Sequence, residues 1–130
     1  MIILDTHIWV WHVQGDERLD QRTQEFIKQN ETAGLGVSAI SIWEVAKAVE
    51  HQKLVLSTDT LSWLRLASSY PGVQILPLTP EICVESTNLP GEFHKDPGDQ
   101  MVVSTARIFD EQLVTADSKI LSYQHVKLFA

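Results

Sequence analysis

Two carboxylates three residues apart, in His94-Lys95-Asp96-Pro97-Gly98-Asp99-Gln100, are the natural place to look for chemistry in this sequence. Three further acids stand at comparable positions. Asp5 follows the apolar run Ile2-Ile3-Leu4, Asp117 follows Leu113-Val114-Thr115-Ala116, and Glu44 lies three residues after Ser41. Each alone has a structural reading. Asp5 with Thr6, and Asp117 with Ser118, read as helix caps. Asp96 reads as the N-cap before Pro97, and Glu44 as the reciprocal partner of Ser41 in a capping box. As a set they read differently, because clustered carboxylates repel unless protonated or paired with cations. No Arg or Lys is interleaved at the two strand ends that carry Asp5 and Asp117. Such a set fits a hard divalent cation, Mg²⁺ or Mn²⁺, bound through oxygen. The chemistry of such a site is phosphoryl transfer or hydrolysis, with an unligated carboxylate free to orient or deprotonate water.

The elements that must bring these acids together follow from the pattern. Ile2–Leu4, the Leu35–Val37 region, Val73–Leu76, Gln112–Thr115 and Val126–Leu128 read as strands. Their short apolar runs suit strands buried on both faces. Helices are expected over 6–13, 16–30, 41–51, 59–69, 79–88, 97–109 and 118–122. Ser57 or Thr58 would cap the fourth and Thr79-Pro80 open the fifth. Alternation of strand and helix gives an α/β class with a mainly parallel sheet. Sites in such sheets gather beyond the carboxyl ends of the strands. All five acids stand at strand ends or in the first turns of helices, so one edge of the sheet can hold them all.

Composition narrows the class. A chain of 130 residues suits a single domain over 1–130, with one sizeable core. No apolar run is long enough to span a membrane. The start, Met1-Ile2-Ile3-Leu4-Asp5, lacks a basic n-region, so no signal peptide is expected. The lone Cys83 excludes an intrachain disulfide and a cysteine zinc site; it reads as a small core residue and fits a reducing cytoplasm. A net charge of −7 argues against unaided binding to a phosphate backbone and fits acids that hold cations or face a basic partner.

The order of these pieces resembles the PIN-domain ribonucleases, and within them the VapC-type toxins of bacterial toxin–antitoxin pairs. Four segments carry the resemblance across almost the whole chain: Ile3-Leu4-Asp5-Thr6-His7, Ser38-Ala39-Ile40-Ser41-Ile42-Trp43-Glu44-Val45-Ala46, His94-Lys95-Asp96-Pro97-Gly98-Asp99 and Leu113-Val114-Thr115-Ala116-Asp117. The resemblance implies a three-layer α/β/α PIN-like fold. It implies a Mg²⁺- or Mn²⁺-dependent endoribonuclease that hydrolyses RNA phosphodiesters with activated water. Asp5, Glu44, Asp99 and Asp117 would be the catalytic acids and, with Asp96, the metal candidates. Asp96 stands open between ligand and cap. Thr6, Ser41 and Thr115 could order water or phosphate, and Lys53, before Leu54, matches the family's basic-plus-Leu turn. A cognate VapB-type antitoxin and a homodimer are implied, in the cytoplasm. Two positions depart from the pattern: Gln100 stands where Arg is common, and Lys47 where an apolar residue is common.

Other residues weigh less. The histidines form no metal signature; His94 reads as a surface-loop residue within reach of a phosphate. Trp9, Trp11, Trp43 and Trp63 read as core or interface. Trp43 is expected to pack beneath Glu44, and Trp9 or Trp63 to help form a partner groove. Lys47, Lys53, Lys95, Arg107 and Lys119 are candidate RNA contacts. The alternatives are a non-catalytic PIN-fold binding module, with the acids serving as caps, or another metal-dependent phosphoester hydrolase. A phosphorylation receiver would want an acidic pair near the first strand, where Asp5 stands alone. An aspartyl phosphatase would want a second Asp two residues after Asp5, where His7 stands.

Overall fold

The computed structural model describes residues 1–129. β1 (Ile2–Leu4) lies between β2 (Leu35–Ser38) and β4 (Leu113–Val114), and β3 (Val73–Leu76) is the outer neighbour of β2. All three pairings are parallel, with Leu4 opposite both Val37 and Val114. β1 is buried throughout because it is paired on both edges and covered on both faces, as its unbroken apolar run requires. Side chains alternate across the sheet. Ile2 and Leu4 enter one core and Ile3 the other; Val114 and Leu113 divide likewise.

The first core is closed by α1 (Thr6–Gln14), α2 (Gln21–Asn30), α3 (Ala39–Glu50) and α4 (Thr60–Ser68), through Ile8, Trp9, Ile27, Val45, Trp63 and Ala67. The second is closed by α6 (Pro97–Phe109) and α7 (Ser118–Leu121), through Val102, Val103, Ala106 and Ile120. α5 (Pro80–Ser86) packs on α6. The result is a helix–sheet–helix sandwich in which α1, α3 and α7 start directly beyond the ends of β1, β2 and β4. No helix among the described residues is long and apolar enough to cross a membrane.

Several boundaries differ from the sequence reading, each for a local reason. α3 is capped by Ser38, whose hydroxyl accepts from the Ile40 N–H, so the helix begins three residues earlier than the Ser41–Glu44 capping box implies. β2 passes straight into α3, which leaves Ser41 and Glu44 inside the helix. α2 starts at Gln21 under an Asp20 cap rather than at Asp16, which is instead paired with Arg18. Asp59, not Ser57 or Thr58, caps α4. The last strand reduces to a single parallel bridge, Leu113 to Leu128. Cys83 is only partly buried. Trp9 and Trp63 are core residues, 0% and 2% exposed, with ring centroids 5.9 Å apart; Trp63 forms only the floor of a surface groove beside Val55 and Leu66. Trp43 is 56% exposed and does not pack beneath the site. It stands two residues from buried Val45, and about 200° of helical rotation turns it outward.

Candidate metal centre

Each acid is delivered by an element whose start is dictated locally. Asp5 ends β1 and caps α1, accepting from the Thr6 N–H through Oδ1 at 2.8 Å. Its Oδ2 accepts from the Thr115 hydroxyl at 2.7 Å, in a buried bond across the β1–β4 pair. Asp5 is therefore 3% exposed yet bonded at both oxygens. Thr115 also accepts from the Asp117 N–H at 3.0 Å, which ties the two strand-end acids together. Asp117 caps α7, with Oδ1 accepting from the Lys119 and Ile120 N–H groups and Oδ2 left over.

Asp96 caps α6 as its Asp-Pro-x-Asp sequence predicts: Oδ1 accepts from the Asp99 N–H at 3.0 Å. That bond engages one oxygen and leaves the other, so capping and cation binding are compatible at Asp96. Asp99 lies in the first turn of α6. Glu44 reaches the same point from the second turn of α3. Its Oε1 accepts from the Thr6 hydroxyl at 2.5 Å. Thr6 has one hydroxyl proton, so Ser41, 2.7 Å from Thr6 Oγ1, is the donor in that contact. The two hydroxyls thus aim Glu44 rather than capping α3. Gly98 makes the approach possible: a Cβ there would overlap Glu44 Oε2 and sit 2.7 Å from its Cδ.

Ligand oxygens of Glu44, Asp96 and Asp99 lie within 4.8 Å of one another. The electrostatics match that crowding. Burial pushes the Asp99 carboxyl up to about 7, helped by the charges of Asp5, Asp96, Asp117 and Glu44. Burial also raises Glu44, with Asp5 and Asp96 adding repulsion and the Thr6 hydrogen bond opposing it. Among the described residues no Lys or Arg forms an ion pair with these acids; their close basic neighbours are two histidines. An all-oxygen donor set, crowded and without a basic counter-ion, is what a hard divalent cation requires, so the residues fit such an ion.

The contacts of both histidines go beyond the sequence reading, which puts His94 on a surface loop near the acids and gives His7 no role. His7 Nε2 accepts from the Ala116 N–H at 2.9 Å, while Nδ1 stands 3.6 Å from Asp5 Oδ2. It thereby fixes the turn between β4 and α7, a partnership 109 residues apart that no spacing rule reveals. His94 is 22% exposed rather than free on a loop, and its Nε2 lies 3.0 Å from Asp99 Oδ2. Gln100, which departs from the family pattern, donates to the His94 carbonyl at 3.1 Å and holds that loop to α6. A cleft of about 360 Å³ opens over Asp5, Glu44 and Asp99, with Trp11, Arg18 and Lys53 among its other walls. Lys53 was expected near the site; Arg18, 5.0 Å above the Trp11 ring, was not. Lys47 is paired with Glu50 at 2.9 Å on the outer face of α3, and Arg107 with Glu85, so neither faces the acids.

The family model of the PIN domain matches residues 2–126. The chain is 30% identical over 124 residues to ribonuclease VapC22 of Mycobacterium tuberculosis, covering 95% of this chain and 92% of that protein. The fold superposes on the Rickettsia felis VapBC2 structure, bound to a fragment of its promoter DNA, with a TM-score of 0.73 and 18% identity; 99% of this chain and 98% of that one are covered. It superposes on FitAcB of Neisseria gonorrhoeae with a TM-score of 0.71 and 18% identity, covering 100% and 97%.

Proposed function

The chain belongs to the PIN-domain family, and from that premise we propose that it is a VapC-type endoribonuclease toxin dependent on Mg²⁺ or Mn²⁺. The observation that carries this reading is the convergence of Glu44, Asp96 and Asp99, flanked by Asp5 and Asp117, with the Asp99 carboxyl raised to about 7 by burial and by neighbouring charges that a bound cation would offset. A divalent cation supplies Lewis acidity, which acidifies water and offsets charge on a phosphoryl oxygen.

The chain's own residues do the rest. Glu44, Asp96 and Asp99 would hold the cation, with Asp5 beside them. Thr115 and the Thr6 N–H fix Asp5, and Thr6 with Ser41 fixes Glu44, so the ligands are aimed before the cation arrives. Asp117 keeps Oδ2 free of the α7 cap and is the group assigned to orient, or take a proton from, the attacking water. Lys53 across the cleft supplies positive charge for RNA phosphates in a chain whose net charge is −7, with Arg18, paired to Asp16, beside it. The same acidic cleft suits an Arg-bearing tail of a VapB-type antitoxin, and the family resemblance extends the proposal to a cytoplasmic homodimer. The test is cleavage of single-stranded RNA with Mg²⁺ or Mn²⁺, with EDTA, and by Asp5→Asn and Asp99→Asn. Cleavage is expected only for the wild type with metal. Equal cleavage by the wild type and both variants overturns the mechanism.

A further inference from the structure

Beside the acids runs a second groove, of about 570 Å³, between the loop that enters α6 and the segment that follows α7. Both walls begin at a site carboxylate. On one, His94 Nε2 is 3.0 Å from Asp99. On the other, Lys119, whose N–H bonds Asp117 at 2.8 Å, turns its exposed side chain to the groove. The walls are joined to each other. The Tyr123 hydroxyl donates to the Pro90 carbonyl at 2.5 Å, and the Phe93 and Tyr123 rings meet at 4.8 Å. Tyr123 in turn backs the exposed His125 ring at 5.5 Å, and Arg107 donates to the His125 backbone carbonyl. Gly91, at a φ of 67°, lies against the same imidazole; a Cβ there would be 3.2 Å from Nε2. The groove is thus a pre-ordered set of rings with an ammonium at one side and Glu92 also in its wall, joined to the acid cluster through His94.

We propose that this groove is a subsite for single-stranded RNA, seating the nucleotide next to the scissile phosphate with its base on His125 and Phe93 and a phosphate at Lys119. This rests on the ribonuclease reading of the acids. Aromatic faces accept any unpaired base, and a base still held in a duplex cannot reach them. The groove therefore selects unpaired RNA without selecting a particular base.

The test uses the full chain and a fluorescein-labelled 12-nucleotide single-stranded RNA, followed by anisotropy in an Asp99→Asn background that blocks turnover. His125→Ala and Lys119→Ala are expected to weaken binding about 5- to 50-fold, the range set by losing one stacked base or one phosphate contact. His125→Tyr should restore binding, and the same sequence as a duplex should bind as weakly as the Ala variants. In otherwise wild-type protein the two Ala substitutions should raise KM more than they lower kcat. Affinities within twofold of the unsubstituted background, or equal affinity for duplex and single strand, overturn the subsite. Absence of Mg²⁺-dependent cleavage by the wild type overturns the ribonuclease reading instead, and the anisotropy measurement judges the groove separately.

Discussion

Removing the Asp99 charge should stabilise the metal-free protein. Burial, with the neighbouring acids adding repulsion, raises this carboxyl from 3.8 to about 7, so the folded state binds a proton that the unfolded chain releases. The sign follows: the stabilisation is complete below pH 4 and is lost as pH rises through about 7. A shift of this size corresponds to a ceiling of about 4 kcal/mol. The side chain is 19% exposed, so solvent screening lowers the figure. Asp99 also gains from its place at the α6 N-terminus, worth about 0.3–1 kcal/mol, which Asn forfeits. The net expectation for Asp99→Asn at pH 8 with EDTA is a gain of about 1–2 kcal/mol, or roughly 4–10 °C in Tm. At pH 4 the two proteins should be nearly equal. Thermal unfolding of both proteins across pH 4–8 reads the difference, and titrations they share, such as that of half-buried His12, cancel. With millimolar Mg²⁺ the order should reverse, because the wild type gains ligand-linked stability that the variant lacks. A variant less stable than wild type at pH 8 in EDTA, with an unchanged pH slope, would refute the electrostatic reasoning.

Other substitutions probe the supports. Gly98→Ala places a methyl on the Glu44 carboxylate; it should cut RNA cleavage at least about tenfold while stability changes by about 1 kcal/mol or less, since Ala is the better helix former. Thr115→Val deletes the hydroxyl shared by Asp5 and the Asp117 N–H; urea unfolding should show a loss of about 1–3 kcal/mol. Ser38→Ala should lose about 0.5–2 kcal/mol through the α3 cap. Ser41→Ala should leave that cap intact and lower cleavage instead, through the Thr6–Glu44 contact; equal effects of the two on cleavage would contradict the assigned roles.

The α6 start was fully legible because its chemistry is local. An Asp before Pro, with an N–H three residues on, can cap a helix without help from the rest of the chain. The sheet was legible too, since β1 and β4 needed only short apolar runs ending on an acid. Ser41 and Glu44 misled for the converse reason. They fit a capping box by spacing, but the end of β2 fixes the start of α3 at Ser38, and tertiary contacts claim both side chains for the site. Trp43 adjoins Glu44 in sequence, but its helical phase against Val45 turns it outward. His7, His94 and Gly98 act through partners on other elements, so their roles exist only once the chain is folded. That the five acids approach one another was legible because charges of one sign at strand ends and helix starts need no exact distance to stand out.

Calorimetric titration of Mn²⁺ into the metal-free protein and into Glu44→Gln and Asp99→Asn tests the central claim most directly. Saturable binding by the wild type, at least tenfold weaker in either variant, is the predicted result. Binding of equal strength in all three would show that these carboxylates do not hold the cation.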